Sequence, residues 1–320
     1  VDAGLGGFQG VVLNFKEEVE ARKVALKEMA FKDVDRRQVA GGVLAAPPLA
    51  FLFVFFVVPT GLLFVYSFWI AKSFALIPAF TFDNYWRALS SSGFYLITLS
   101  GMKNGFWTAI LSVVLSFPVA YYIVYRARGN MLFYIVMVSW FSSYLVRIYA
   151  WRVILGSNGL INTTLMQLGL ISQPIELLLF SPFATILTLV HIMLPFTLLL
   201  LVSALRDVKP EYLEAARDLG ASSREVFRKV IMPMAYKGVV GSFMFTFVLA
   251  AGDFVTPQLL GGRDGITTGL VISNQFRSSG NWPLGAAMAF ILLLTFLFVY
   301  FLFVQTLNIF KMAPGRRFHA

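Results

Sequence analysis

Residues 183–205 read FATILTLVHIMLPFTLLLLVSAL, and residues 206–237 read RDVKPEYLEAARDLGASSREVFRKVIMPMAYK. The first stretch is apolar without alternation and long enough to cross a bilayer as a helix, which takes roughly 20 residues. The second is polar, yet helix punctuation runs through it. Pro210 suits the first turn of a helix, and Glu211 beside it favours the positive end of the dipole. Leu213, Ala216 and Leu219 recur on one face. Gly220 suits the left-handed residue that closes a helix. Ser222 and Glu225 stand at the spacing of a capping box. Val226, Phe227, Val230 and Ile231 give a second helix its apolar face, and Pro233 is expected to end it before the next membrane entry. The segment reads as two short helices with a sharp bend at Gly220. Two readings of its apolar surface stand: it meets a partner in the cytoplasm, or it folds back on the chain's own spans.

Working outward, five further stretches reach spanning length. The expected spans run about Val43 to Ile70, Gly105 to Tyr125, Met131 to Leu155, Phe183 to Leu205, Val239 to Leu260 and Leu284 to Phe310. Their continuous apolar character predicts helices, since barrel strands alternate. Composition agrees with an all-α membrane protein of six transmembrane helices. The chain is 58% hydrophobic and 13% charged, with 33 Phe and a mean hydropathy of +0.76. Soluble domains carry about 45–50% apolar and about 25% charged residues.

The net charge of +10 has a location as well as a size. With the N-terminus inside, 19 of the 26 Lys and Arg fall in cytoplasmic segments and 5 in outer ones. Positive charge accumulates on the cytoplasmic side during insertion, so both termini are expected there. The partner of this basic charge is then the lipid bilayer, and no nucleic acid is needed to explain it. The chain has no cysteine and two His, His191 and His319, so neither a disulfide nor a Cys- or His-rich metal site is expected. It contains no Gly-Lys-Ser or Gly-Lys-Thr, and hence no P-loop for ATP. Nor does it contain a Gly-x-Ser-x-Gly elbow or a His-Glu-x-x-His pair. No enzymatic activity, cofactor or metal is expected of the chain itself.

Residues 1–40 form a charged segment before the six-span region at 41–320. Val11 to Val39 is expected to be an amphipathic helix, with Glu18 and Arg22 one turn apart, lying solvated or at the interface or meeting a partner. These residues lack an apolar core, so no cleavable secretory signal is expected.

Of the 16 carboxylates, Asp253 is the one inside an expected span. Gly252 beside it and Pro257 after it predict a bend. Ionisable groups inside spans are costly and often functional. One reading makes Asp253 part of a path for a cation, with Trp140, Phe141, Tyr144, Tyr149 and Trp151 adding cation–π contacts. The other pairs Asp253 with Arg147 or Arg152 to join two helices. Those arginines sit toward the outer end of their span, where they are expected to snorkel. His191 is expected to be a hydrogen-bonded packing residue.

Glu214-Ala215-Ala216, three residues, Gly220, nine residues and Val230-Ile231-Met232-Pro233 together resemble the EAA loop of binding-protein-dependent ABC importer permeases. Val230 and Met232 replace the usual Ile and Leu. The loop also lies where that family has it, between the fourth and fifth of six spans. The resemblance implies a type I permease fold whose loop is a coupling helix seated on a separate ATPase, with Glu214, Ala215, Ala216, Leu219, Gly220, Val230, Met232 and Pro233 at the contact. Phe227 is added to that contact as an aromatic anchor, by inference from how interfaces gain their energy.

The implied partners are an ATP-binding cassette ATPase dimer that carries ATP and Mg, a second homologous permease and an extracytoplasmic solute-binding protein. The segments Leu145-Val146-Arg147-Ile148-Tyr149-Ala150-Trp151, Asn158 to Asn162, Gly252 to Gly262 and Trp282 to Ala287 are similar to polyamine (spermidine/putrescine) permeases. This implies a polyamine cargo, and the physical reading of the spans expects Asp253, Trp140, Tyr144, Arg147 and Tyr149 along its path. The same subfamily includes permeases for opine-like compounds and aminophosphonates. A stand-alone secondary transporter is the remaining alternative, and it normally shows inverted repeats and several intramembrane charges.

Overall fold

The computed structural model describes residues 43–72 and 75–309, so the expectation for residues 1–40 lies outside the described residues. Two compact units divide between Leu63 and Phe64. The first is described by residues 43–63, most of α1 (Val43–Tyr66), which is apolar throughout and widens into a π turn at Phe53–Val57. It ends earlier than Ile70, because Ile70 pairs with Ile77 in a hairpin of β1 (Ile70–Lys72) and β2 (Ala75–Ile77).

The second unit holds α2 (Asp83–Leu89), α3 (Ser92–Tyr125), α4 (Met131–Trp140), α5 (Tyr144–Leu155) and α6 (Leu160–Gln167). It continues with α7 (Pro182–Arg206), α8 (Pro210–Asp218), α9 (Ser223–Gly252), α10 (Thr268–Arg277) and α11 (Trp282–Ile309). Among the described residues, five helices are long and apolar enough to span a membrane: α1, α3, α7, α9 and α11. Helix α4 and the arm from Tyr144 to Gln167 make a sixth span if the bent pair counts as one.

The expected third span, Met131 to Leu155, is therefore not one helix. It breaks at Phe141–Ser143 and turns by 89°. Ser142 and Ser143 offer the backbone alternative hydrogen bonds, and Ser143 is extended (ψ 139°). Phe141, Ser142 and Ser143 are all exposed on this chain, and a break at membrane depth needs protein or a water-filled path around it.

The centre of the bundle is the contact of α3, α7 and α9. Small residues allow the approach: a Cβ added at Gly105 of α3 would stand 2.6 Å from the Ala251 Cβ of α9. Asn104, Thr108, Ser112 and Ser116 line one face of α3 at four-residue intervals, and all are buried. Between α7 and α9 the Thr197 and Thr246 hydroxyls meet at 2.8 Å. Such interhelical hydroxyl contacts suit helices in lipid, where apolar surface gives little drive to associate.

The connections outside the bundle are also pinned. Asn84 Nδ2 donates to the Ser67 and Trp69 carbonyls at 2.9 and 2.8 Å. The buried Asn162 accepts from Ile175 N at 2.8 Å and donates to the Gly156 carbonyl at 3.0 Å, closing the segment between α5 and α7.

Candidate functional site

Two places in the chain concentrate chemistry. The first is the turn between α8 and α9. Pro210 begins α8 as expected. Gly220 ends it with φ +84°. The Gly220 N–H donates to the Arg217 carbonyl at 2.8 Å, and the Ala221 N–H to the Ala216 carbonyl at 3.0 Å. This pair of bonds is the Schellman closure, which satisfies carbonyls the helix end leaves free. Ser222 and Glu225 form the capping box, and Lys229 Nζ adds an ion pair to Glu225 at 2.9 Å.

Where the apolar side chains go decides what this turn offers. Leu213, Val226 and Ile231 are buried in a cluster with Ala120, Ile123, Leu201 and Leu205 of the chain's own spans and Val208 of the bend after α7. Phe227 lies edge-on to Phe117 at 5.8 Å. Much of the pair's apolar face thus folds back on the chain's own bundle, and Phe227 anchors it there. Leu219 does not share the face of Leu213. It sits in the bend after α8 ends, and it is 89% exposed. Glu214, Ala215 and Gly220 are exposed beside it, while Ala216 and Val230 are half-buried. A cavity of about 350 Å³ beside the loop is lined by Tyr121, Tyr125, Arg126, Pro210, Glu214 and Arg217.

Pro233 does not end the second helix. Helix α9 runs on through Met232 and Pro233 to Gly252. The missing proline N–H is absorbed by a π turn at Phe227–Ile231 just before it.

The second place is the end of α9. The expected fifth span breaks at Asp253, which is extended (ψ 138°). Asp253 Oδ2 accepts the Thr256 N–H at 2.9 Å, capping the short helical segment that leads into Pro257–Gly261. Its Oδ1 accepts the Tyr144 hydroxyl at 2.5 Å, and that hydroxyl also lies 3.0 Å from Thr256 Oγ1. The Thr267 hydroxyl donates to the Asp253 carbonyl at 2.9 Å.

The expected pairing of Asp253 with an arginine is not found among the described residues. Arg147 is 7% exposed, so it does not snorkel, and its Nη1 points at the Ile192 carbonyl 3.5 Å away. Arg152 lies over the Phe180 ring. Tyr144 is the expected path residue in contact with Asp253. Trp140 packs on Phe196 at 4.8 Å, and Tyr149 is exposed elsewhere on α5. His191 accepts from Trp151 Nε1 at 3.0 Å.

Sequence reasoning passed over Thr256 and Thr267. For Thr256 a signal existed: Asp253 precedes it by three residues, the spacing of a helix cap. Thr267 reaches Asp253 only through the fold.

Residues 40–308 match the family model described as binding-protein-dependent transport system inner membrane component. The chain belongs to this family. The permease is 34% identical over 211 residues to the spermidine/putrescine transport system permease protein PotB of Escherichia coli K12, covering 65% of this chain and 76% of that one. PotB of Haemophilus influenzae is also 34% identical, over 229 residues, with 70% and 75% covered. Its fold is that of solved importers. A bacterial transporter that imports the acidic polysaccharide alginate superimposes with a TM-score of 0.63 at 17% identity, covering 85% of this chain and 97% of that one. The same transporter type, bound to an alginate pentasaccharide-loaded periplasmic protein, gives 0.66 at 15% identity, with 89% and 98% covered. The permease is thus a multi-pass inner-membrane subunit of an ABC importer.

Proposed function

We propose that the permease passes a polyamine of the spermidine/putrescine class into the cytoplasm, driven by ATP hydrolysis in a separate subunit. The observation that carries the cargo class is the 34% identity to permeases named for spermidine and putrescine. Asp253 supplies the matching chemistry: it is a half-buried carboxylate at a helix break, with a tyrosine against it. Its carboxylate meets the cargo amine, and Tyr144 flanks that contact. Trp140, Arg147 and Tyr149 lie on the same broken span, beyond hydrogen-bonding reach of Asp253 in this conformation.

The turn at Glu214–Gly220 seats on an ATPase dimer, which binds the ATP and Mg. Leu219 is the apolar side chain that enters the partner's groove, and Glu214, Ala215 and Ala216 surround it. Val230, Met232 and Pro233 support the turn from the start of α9. Phe227 serves the turn by holding it to Phe117. A second homologous permease completes the membrane path, and an extracytoplasmic solute-binding protein delivers the cargo. Both termini, with residues 1–40, lie on the cytoplasmic side. Closure of the ATPase dimer moves the loop and switches the path between its two faces.

The test is uptake of labelled spermidine and putrescine in a strain deleted for this chain and complemented with it. Uptake unaffected by the deletion rejects the polyamine cargo. A pull-down from cytoplasm that returns no ATPase, together with intact uptake in Gly220→Asp, rejects the coupling role.

A further inference from the structure

We propose that the Tyr144 hydroxyl is a built-in competitor for the Asp253 carboxylate, and that the cargo amine gains this carboxylate only when the hydroxyl is withdrawn. The inference rests on the reading of Asp253 as a cargo contact.

Both carboxylate oxygens are engaged by the chain itself. The Thr256 N–H on Oδ2 belongs to the segment that Asp253 caps, so it travels with Asp253. The Tyr144 hydroxyl on Oδ1 comes from 109 residues away. It joins two discontinuities: Tyr144 is the first residue of α5, just past the 89° break, and Asp253 is the residue at which α9 stops. Thr256 Oγ1, 3.0 Å from the hydroxyl, gives it a second partner and keeps it facing the carboxylate. The bond therefore lasts only while the two breaks keep their spacing.

That spacing is under the control of α9. The helix runs from Ser223, beside the cytoplasmic turn, through the π turn at Phe227–Ile231 and on to Gly252 with no break in the helical backbone. A displacement of the turn arrives at Asp253 as a displacement of the helix end. The charge chemistry then sets the direction of the effect. A hydroxyl donated to a carboxylate is a charge-assisted hydrogen bond, and it satisfies part of what an ammonium would otherwise neutralise. An amine at Asp253 gains more once that donor has left. Tyr144 is in this sense a positioning residue that sets when the site is strong.

The experiment uses the complete importer in nanodiscs, without binding protein or ATP, and measures binding of labelled spermidine. Tyr144→Phe keeps the ring and removes the donor, and its affinity is expected to rise about tenfold over the unmodified complex. Thr256→Val, which removes the second partner of the hydroxyl, shifts binding the same way by a smaller factor. Adding Asp253→Asn to Tyr144→Phe is expected to erase the gain.

An assembled Tyr144→Phe complex that binds no more tightly overturns the proposal, as does a gain that survives Asp253→Asn. If Tyr144→Phe does not assemble, an unchanged affinity in Thr256→Val overturns it instead. The two levels of inference separate cleanly. Asp253→Asn importing spermidine at the unmodified rate removes Asp253 from the path altogether. Impaired import in Asp253→Asn with no gain in Tyr144→Phe rejects the competitor alone.

Discussion

Gly220 carries a backbone conformation, φ +84°, that costs an L-residue roughly 1–2 kcal/mol. A Cβ there would meet nothing within 4 Å. Gly220→Ala therefore acts through the backbone alone. It is expected to leave the permease in the membrane at normal yield and to reduce co-purification of the ATPase, because Leu219 next to it no longer holds its place. Quantitative pull-down checks this against membrane yield. The residue was legible in advance because the requirement is local: a helix, a glycine and a capping box in succession permit few other conformations. Asp253 was legible only as an anomaly. Its position flagged it, but its partners did not follow from position. The two arginines offered themselves as counter-ions by charge, whereas the fold gave the carboxylate a hydroxyl and a backbone N–H.

Among the elements, α9 and the α4–α5 pair depart most from what the sequence suggests. Pro233 reads as a stop because proline removes a donor from the helix ladder. The π turn at Phe227–Ile231 takes up that loss, and nothing in the local pattern announces a π turn. The break at Phe141–Ser143 is hidden for the opposite reason: apolar residues continue on both sides, so hydropathy runs straight through it. The capping box of α9 is open to a simple test. Ser222→Ala removes the side chain that accepts the Glu225 N–H, a loss of about 1 kcal/mol for a helix cap. Faster proteolysis of the turn between α8 and α9 is expected, with unchanged cleavage of the segment between α5 and α7. The α3–α9 contact is less forgiving. Gly105→Val places carbon against the Ala251 backbone, which already lies 2.8–2.9 Å from where a Cβ would be. It is expected to abolish stable accumulation, read as loss of the band in solubilised membranes.

For the whole molecule, five spans (six if the bent pair counts as one), their approximate positions and the family were legible, because length and apolar content are what a bilayer selects. The packing of α3, α7 and α9 was not, since it depends on small and hydroxylated residues that carry little hydropathy signal. The orientation expected from the Lys and Arg distribution can be read directly. The chain has no cysteine, so Leu219→Cys introduces a single thiol at a position 89% exposed. With the chain expressed without the ATPase, a membrane-impermeant maleimide is expected to label it in inside-out vesicles and to leave it unlabelled in intact spheroplasts. Labelling from the outer face would invert the proposed topology.

The unbroken course of α9 also gives its length a second meaning. Thirty residues at about 1.5 Å each make a rod about 45 Å long, but each residue also turns it by about 100°. The bearing of Leu219 about the rod is thus fixed relative to Asp253 by a residue count. One residue inserted between Pro233 and Gly252 lengthens the rod by little and swings the turn at Leu219 more than a quarter of the way round. Deletions and insertions are tolerated least in this interval, where they act as errors of phase, whereas the hairpin of β1 and β2 can change length without altering any such bearing.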